Sequence, residues 1–218
     1  MSAAWAAAAG GRAQASVVLG HGAGNDMDSG FMRDAFSGLV RRGCACLRFN
    51  FLYKETGRKI PDPRPKLEAA FRAAAGFAGD RLGSAPLILG GKSMGGRIAS
   101  HVAATGLPAA GLLFFGYPLH PPGKPEALRD AHLYSIGCPM LFLSGTRDPF
   151  ATPALLEGVV GRIGGAATLH WIEGGDHSLR VRGKPPRETL DSVLDTAVAW
   201  IERLPAQAGR PEPGKTPA

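Results

Sequence analysis

Short apolar runs alternate with longer stretches of helical spacing along almost the whole chain. The apolar runs predict strands over residues 15–19, 44–49, 86–89, 111–115, 140–144 and 167–172. Apolar residues three and four apart predict helices over residues 29–42, 66–82, 95–104, 153–163 and 187–204. This alternation predicts one three-layer α/β domain, in which a mostly parallel sheet of about six strands is flanked by helices.

The two ends of the chain depart from this pattern. Residues 1–14 are rich in Ala and lack the basic start of a signal peptide, so we expect a flexible leader there. Residues 205–218 are rich in Pro and Gly, and we expect a disordered tail. The folded domain is therefore expected over residues 15–204, with a long loop over residues 50–65.

Composition agrees with a globular domain and argues against some partners. Of the 218 residues, 44% are hydrophobic, which is enough for a core. Apolar runs reach only about seven residues, whereas a transmembrane helix needs roughly 20, so no membrane partner is expected. The formal net charge is +7, but Lys and Arg are scattered without a run of five. No nucleic-acid partner is therefore expected.

The cysteines and histidines indicate neither disulfides nor metal. Cys44, Cys46 and Cys138 are an odd number, which argues for a reducing compartment, the cytoplasm. Cys44 and Cys46 are expected to be core residues of one strand with thiols on opposite sides. The histidines outside the motifs below lack ligand spacing, so neither a metal nor another cofactor is expected.

A Gly-x-Ser-x-Gly motif follows the third predicted strand. Gly91-Lys92-Ser93-Met94-Gly95 lies between that strand and a predicted helix. Glycines two residues before and after the serine let neighbouring backbone pass close to a sharp strand-to-helix turn. The serine hydroxyl then stands at the N-terminus of the helix, where negative charge is favoured. Ser93 is therefore a candidate nucleophile.

Two nucleotide-binding motifs fit less well. Gly91-Lys92-Ser93 could end a phosphate-binding P-loop, but the first glycine of that motif would fall on Pro86. Gly22-Ala23-Gly24 suggests a dinucleotide fingerprint, but its third glycine would fall on Met27. Neither motif is complete.

A nucleophilic serine needs a base and an acid that orients the base. Asp148 follows the fifth predicted strand, and His177 follows the sixth. Both would lie at the same sheet edge as Ser93, in the order serine, acid, histidine. The three residues therefore form a candidate catalytic triad. Asp176 is the reserve acid, although a sequence neighbour is badly placed to reach the ring of His177.

An oxyanion hole needs two backbone N–H groups. One comes from the residue after the serine, here Met94, and the other from the loop after the first strand. That loop reads His21-Gly22-Ala23-Gly24. We expect Ala23 to provide the second N–H, with Gly24 as the next candidate.

Two roles are possible for several other residues. Tyr117 and His120, together with Gly24, could contact substrate, but Tyr117 and His120 fit a packed Pro-rich loop equally well. Arg97 either stabilises the helix after Ser93 or binds an anionic group of the substrate, and the structural role is the preferred hypothesis. Phe49, Phe51 and Tyr53 form an apolar wall of the pocket or close the core.

With these residues assembled, the chain resembles the α/β-hydrolase superfamily. It is similar to the small capless hydrolases related to dienelactone hydrolases and to the testis-expressed group of predicted hydrolases. The matching landmarks are His21-Gly22-Ala23-Gly24, Gly91 to Arg97, Gly116-Tyr117-Pro118, His120 to Pro125, Gly145-Thr146-Arg147-Asp148 and Gly175-Asp176-His177. The resemblance implies a serine-hydrolase site with little or no cap. Dienelactone hydrolases proper carry cysteine at the position of Ser93, which argues against dienelactone as substrate.

The expected function is hydrolysis of a small-molecule ester or thioester through an acyl-enzyme on Ser93. The alternative is a non-catalytic interaction protein built on the same scaffold, since a fold does not fix a function. A further alternative is a basic protein that binds acidic ligands. The acyl group, the leaving group and the oligomeric state are not indicated by the sequence.

Overall fold

Seven strands form one sheet in the computed structural model, which describes residues 1–11, 13–81 and 85–205. The strands are β1 (Ala3–Ala6), β2 (Ser16–Gly20), β3 (Ala45–Phe49), β4 (Leu87–Lys92), β5 (Gly111–Phe115), β6 (Met140–Gly145) and β7 (Ala167–Ile172). Their order across the sheet is β1-β3-β2-β4-β5-β6-β7. All neighbouring pairs are parallel except β1 and β3.

Helices cover both faces of the sheet. They are α1 (Gly30–Arg41), α2 (Leu52–Glu55), α3 (Arg64–Gly79), α4 (Met94–Ala104), α5 (Pro153–Ile163) and α6 (Pro186–Glu202), with 3₁₀ turns at Ala131–Ser135 and Gly164–Ala166. One core lies between the sheet and α1 with α6, and the other between the sheet and α3, α4 and α5. No helix within these described residues is long and apolar enough to cross a membrane.

Side chains of each central strand alternate between the two cores. Val17 and Leu19 of β2 belong to the core under α1 and α6, whereas Val18 belongs to the other core. Both faces of the sheet are therefore buried. This explains why the sequences of the central strands are continuous apolar runs. The predicted three-layer α/β architecture is confirmed.

The expected leader over residues 1–14 needs correction, because Ala3–Ala6 is the edge strand β1. Trp5 lies opposite Leu47 in an antiparallel pair with β3 and packs against the core. Four residues of mostly Ala carry little strand signal, and pairing with β3 supplies what local propensity does not. The sheet therefore has seven strands where about six were expected.

Three further predictions can be compared with the structure. The loop predicted over residues 50–65 contains the short helix α2. Cys44 and Cys46 are buried as expected, but the prediction that their thiols face opposite sides is wrong. Both pack into the core under α1 and α6, because residues two apart share a face of a strand. The predicted tail over residues 205–218 lies outside the described residues apart from Pro205.

The parallel arrangement determines where a site can form. The strands β2, β4, β6 and β7 all end at the same edge of the sheet. The segments that follow them carry the glycine-rich loop after β2, Ser93, Asp148 and His177. Ligands of open α/β sheets bind at this carboxyl edge.

Candidate active site

Ser93 occupies a strained turn between β4 and α4. Its φ of 51° and ψ of −114° are rare for a residue with a side chain. The turn is possible because glycines flank it. A Cβ at Gly91 would lie 2.2 Å from the carbonyl oxygen of Gly20, and a Cβ at Gly95 would lie 2.0 Å from the same atom. The motif spacing thus reflects the close passage of β2 beneath the turn.

We expect the replacement Gly95→Ala to destabilise the fold by about 3 kcal/mol, because the added methyl group would push the start of α4 away from β2. Urea unfolding measures the change in free energy. The matched control is Gly76→Ala in α3, where a Cβ meets nothing within 4 Å. That control should gain about 0.5–1 kcal/mol, since alanine is the better helix residue. Equal stabilities of the two variants would contradict the close approach.

The turn places Ser93 in a hydrogen-bond chain with His177 and Asp148. The Ser93 hydroxyl donates to Nε2 of His177, with Oγ and Nε2 2.8 Å apart. Nδ1–H of His177 donates to Oδ2 of Asp148 over 2.7 Å. Asp148 is 1% exposed, and its other oxygen accepts the N–H of Phe150 over 2.8 Å. The buried carboxylate fixes the proton on Nδ1, so Nε2 presents its lone pair to the serine.

Asp176, the reserve acid, has a different task. Its Oδ1 accepts the backbone N–H groups of Ser178 and Arg180 over 2.8 and 2.9 Å. These bonds shape the loop that carries His177. The contact with the imidazole is made by Asp148.

Phe150 contacts the imidazole of His177 and was not predicted as a site residue. Its ring centroid lies 4.6 Å from that of His177, and it lines the same cavity. The contact limits the orientations open to His177. A position two residues after Asp148 was the available signal, but nothing in the sequence shows which way that ring turns.

The loop after β2 passes beside Ser93. A Cβ at Gly22 would lie 3.6 Å from Cβ of Ser93, and both Ala23 and Met94 line the cavity with Ser93. The N–H of Met94 belongs to the first residue of α4, where no intrahelical acceptor exists. Ala23 and Met94, the two residues predicted to supply the N–H groups of an oxyanion hole, therefore line the same cavity as the nucleophile. Gly24 is not among the cavity-lining residues. Its backbone adopts a φ of 76°, the left-handed conformation that glycine allows in a turn.

His21 holds this loop in place. Nδ1–H of the buried ring donates to the carbonyl of Gly22 over 2.9 Å, and Nε2 accepts the N–H of Phe51 over 3.1 Å. Burial lowers the pKa of His21, which favours the neutral ring that these two bonds require. The sequence indicates His21 only as part of the glycine-rich motif, and its bond to Phe51, 30 residues away, explains why a histidine is present at this position.

Lys92 connects the serine turn to the histidine loop. Its side chain is buried, with the residue 8% exposed, and Nζ donates to the carbonyl oxygen of His177 over 2.5 Å. Burial lowers the pKa of Lys92 to about 8, against the opposing effect of the Asp148 and Asp176 carboxylates. The residue before the nucleophile therefore positions the backbone of the base.

The lowered pKa of Lys92 predicts a pH-dependent stability. Between about pH 8 and about pH 10.5 the unfolded chain binds more protons at this lysine than the folded chain, so stability rises with pH. We expect the unfolding free energy of the wild type, relative to Lys92→Met, to rise by about 1–2 kcal/mol between about pH 7.5 and about pH 9.5. Urea unfolding of both proteins at the two pH values measures it. The exposed control Lys124→Met should show no such change, and parallel curves for wild type and Lys92→Met would contradict the prediction.

A cavity of about 460 Å³ opens over Ser93 and His177. His120 is among the residues that line it. The residue is 3% exposed, its Nδ1 bonds to the carbonyl of Pro121 over 2.8 Å, and its Nε2 has no partner within the described chain. Between β5 and β6 the chain forms only a loop and one 3₁₀ turn, so no cap domain is inserted at that point.

Tyr117 does not line the cavity, which corrects the prediction that it contacts substrate. Its side chain is buried behind the site, and its hydroxyl lies 3.1 Å from Oγ of Ser100 and 3.2 Å from Nε2 of His132. The strand β5 ends two residues earlier, and the chain there turns the ring into the core under α4. Phe49, Phe51 and Tyr53 are buried in that same core and likewise do not line the cavity.

Comparison with known proteins finds similarity to alpha/beta hydrolases over most of the chain. A family model described as an alpha/beta hydrolase domain matches residues 13–205. An α/β serine hydrolase without lid from Xanthomonas campestris is 21% identical, with a TM-score of 0.70 over 94% of this chain and 89% of that one. A dienelactone hydrolase from Anabaena variabilis is 19% identical, with a TM-score of 0.72 over 93% and 91%. An alpha-beta serine hydrolase homologue from Coxiella burnetii is 17% identical, with a TM-score of 0.70 over 92% and 89%.

Proposed function

The chain belongs to the alpha/beta hydrolase domain family, and from that premise we propose that it is a serine hydrolase that cleaves an ester or thioester. The single observation that carries the proposal is the hydrogen-bond chain from Ser93 through His177 to Asp148, with distances of 2.8 and 2.7 Å. This chain supplies a nucleophile, a base and an orienting acid at one point of a cavity.

The proposed reaction begins when Oγ of Ser93 attacks the carbonyl carbon of the substrate. The hydroxyl proton moves to Nε2 of His177, and the buried carboxylate of Asp148 stabilises the resulting imidazolium. Negative charge on the former carbonyl oxygen is met by the N–H groups of Ala23 and Met94. His177 then gives its proton to the leaving alcohol or thiol as the carbon–oxygen or carbon–sulfur bond breaks, which leaves an acyl-Ser93.

The second half of the reaction releases the acyl group. A water molecule loses a proton to Nε2 of His177 and attacks the acyl carbon. The tetrahedral intermediate collapses, Oγ of Ser93 recovers the proton from His177, and a carboxylic acid leaves. Each transferred proton therefore passes through Nε2 of His177.

The shape of the site agrees with a small substrate. The cavity of about 460 Å³ lies within the range of small-molecule sites, and no cap is inserted between β5 and β6. Serine acting through an acyl-enzyme handles esters and thioesters alike, because both leave with a proton from the histidine. An amide is the less suitable substrate, since its leaving group is poorer.

Steady-state and pre-steady-state hydrolysis of para-nitrophenyl esters and of acyl thioesters of increasing chain length tests the proposal. We expect turnover with a burst of released leaving group whose amplitude approaches the enzyme concentration wherever deacylation is slow. A folded protein that hydrolyses no member of either series would contradict the proposal and favour the interaction-protein alternative.

We further propose that the protein works in the cytoplasm. Cys44, Cys46 and Cys138 are all free thiols in the structure. Burial raises the pKa of Cys44 to about 11 and that of Cys46 above its ordinary value, so both stay as thiols rather than reactive thiolates. Free cysteines of this kind suit a reducing compartment. Fractionation of cells that make the protein, followed by immunodetection, tests this location.

A further inference from the structure

Three arginines from distant parts of the chain line the cavity beside Ser93. Arg64 begins α3, Arg97 lies in α4, and Arg129 lies in the segment between β5 and β6. Lys92 is a fourth cationic residue of the lining. Such a convergence is unusual for a pocket that serves only an uncharged ester.

The cavity does not neutralise this charge from within. Among the lining residues, Asp62 is the one that carries a carboxylate. This carboxylate already forms ion pairs with Nη2 of Arg58 over 2.7 Å and with Nζ of Lys66 over 3.5 Å. Glu68 of α3 contacts Nε of Arg64 over 3.2 Å, in a pair whose side chains are 20% and 60% exposed, respectively. Asp130, next to Arg129, accepts the hydroxyl of Tyr134. For the guanidinium groups of Arg97 and Arg129 the described residues supply neither a carboxylate nor another acceptor.

Arg97 is the central member of the group. Its backbone N–H donates to the carbonyl of Ser93 over 3.1 Å, so its side chain starts one helical turn, about 6 Å, beyond the nucleophile. Its Nε is buried without a partner in the described part of the chain. The preferred expectation that Arg97 pins the helix therefore finds no supporting contact. Burial, and then the nearby Arg129 and Arg64, lower the pKa of Arg97, as expected for a guanidinium among like charges.

An anion would complete this arrangement. A buried N–H donor without an acceptor is unfavourable, and a planar guanidinium fits the two oxygens of a carboxylate or phosphate. We propose that Arg97, with Arg64 and Arg129, forms a subsite for a negatively charged oxyacid group of the substrate, so that the hydrolase acts on esters or thioesters that carry such a group. This assignment rests on the proposed serine-hydrolase function and names its substrate class.

A matched pair of substrates tests the subsite. The para-nitrophenyl monoester of adipate and the para-nitrophenyl ester of hexanoate have the same chain length and differ in one carboxylate. We expect kcat/KM of the wild type to favour the adipate ester by about 10- to 100-fold, the range of a hydrogen-bonded charged group. In Arg97→Met this preference should fall toward one. The control Arg41→Met removes the same charge from an exposed position on α1, and should keep the preference.

Two further measurements keep the test decisive. Arg129→Met changes an exposed residue and should reduce the preference even if Arg97→Met does not fold. Competitive inhibition of hexanoate ester hydrolysis by free adipate and by inorganic phosphate distinguishes the two sources of the anion. Inhibition by adipate assigns a carboxylate, and stronger inhibition by phosphate assigns a phosphate group.

Anion binding at the subsite and hydrolysis at Ser93 can be tested separately. Thermal stabilisation of the Ser93→Ala protein by adipate or phosphate reports anion binding without catalysis. Stabilisation that is lost in the Ser93→Ala, Arg97→Met double variant supports the subsite even if no ester is hydrolysed. Equal kcat/KM for the two esters in the wild type, with neither anion binding, would overturn the subsite while leaving the serine hydrolase in place.

Discussion

Replacing Ser93 by alanine is expected to reduce kcat for ester hydrolysis by about 10⁵- to 10⁶-fold, the range for loss of a nucleophile that acts with a base. The hydroxyl of Ser93 bonds to Nε2 of His177, and no other hydroxyl of the described residues bonds to that nitrogen. Residual turnover would come from positioning and from the two backbone N–H groups. Initial rates with the best ester of the panel measure the loss.

The exposed Ser37 on α1 provides the matched control. Ser37→Ala removes the same hydroxyl far from the cavity and should leave kcat unchanged. Thermal unfolding of Ser93→Ala is expected to match that of the wild type, since the change deletes one oxygen from a turn whose backbone is set by its flanking glycines. A folded Ser93→Ala protein that keeps more than about a tenth of wild-type kcat would contradict the account.

The second large effect is expected at Asp148. Replacing it by asparagine should lower kcat by about 10⁴-fold at neutral pH, because an amide nitrogen facing Nδ1 favours the wrong tautomer of His177 and the imidazolium loses its counter-charge. The side chain is buried, so water cannot substitute for the carboxylate. Nucleophile and cavity stay in place, which makes the loss one of kcat rather than of binding.

Asp176→Asn is the control for this prediction. Asp176 lies beside His177 in sequence, but its oxygen accepts backbone N–H groups instead of contacting the ring. An asparagine oxygen can accept the same bonds, so we expect less than about a tenfold loss. If Asp176→Asn lost more kcat than Asp148→Asn, the acid of the site would be misassigned.

Features that depend on the order of strands and motifs along the chain could be predicted from the sequence. Alternating apolar runs predicted a parallel sheet, and parallel strands end at one edge. Ser93, Asp148 and His177 each follow a strand, so their meeting could be expected before any coordinates. The flanking glycines could be expected as well, because a strand-to-helix turn of this kind tolerates no Cβ against β2.

Features that depend on three-dimensional placement could not be predicted. Lys92 bonds to a backbone carbonyl 85 residues away, and every residue offers such a carbonyl, so its partner has no sequence signature. The direction of the Tyr117 ring is decided by packing around Phe114 and Phe142, within 4.9 and 5.6 Å of it. The strand β1 exists because β3 offers an unpaired edge, which local composition does not show.

The measurement that tests the central claim most directly is covalent labelling by a fluorophosphonate, followed by intact-mass and peptide analysis. The claim is that His177 activates Ser93, and the reagent reports an activated serine whatever the natural substrate is. We predict one adduct per chain on Ser93 in the wild type, with labelling lost in Ser93→Ala and at least about 1000-fold slower in His177→Ala. An unlabelled but folded wild type, or an adduct on another residue, would contradict the account.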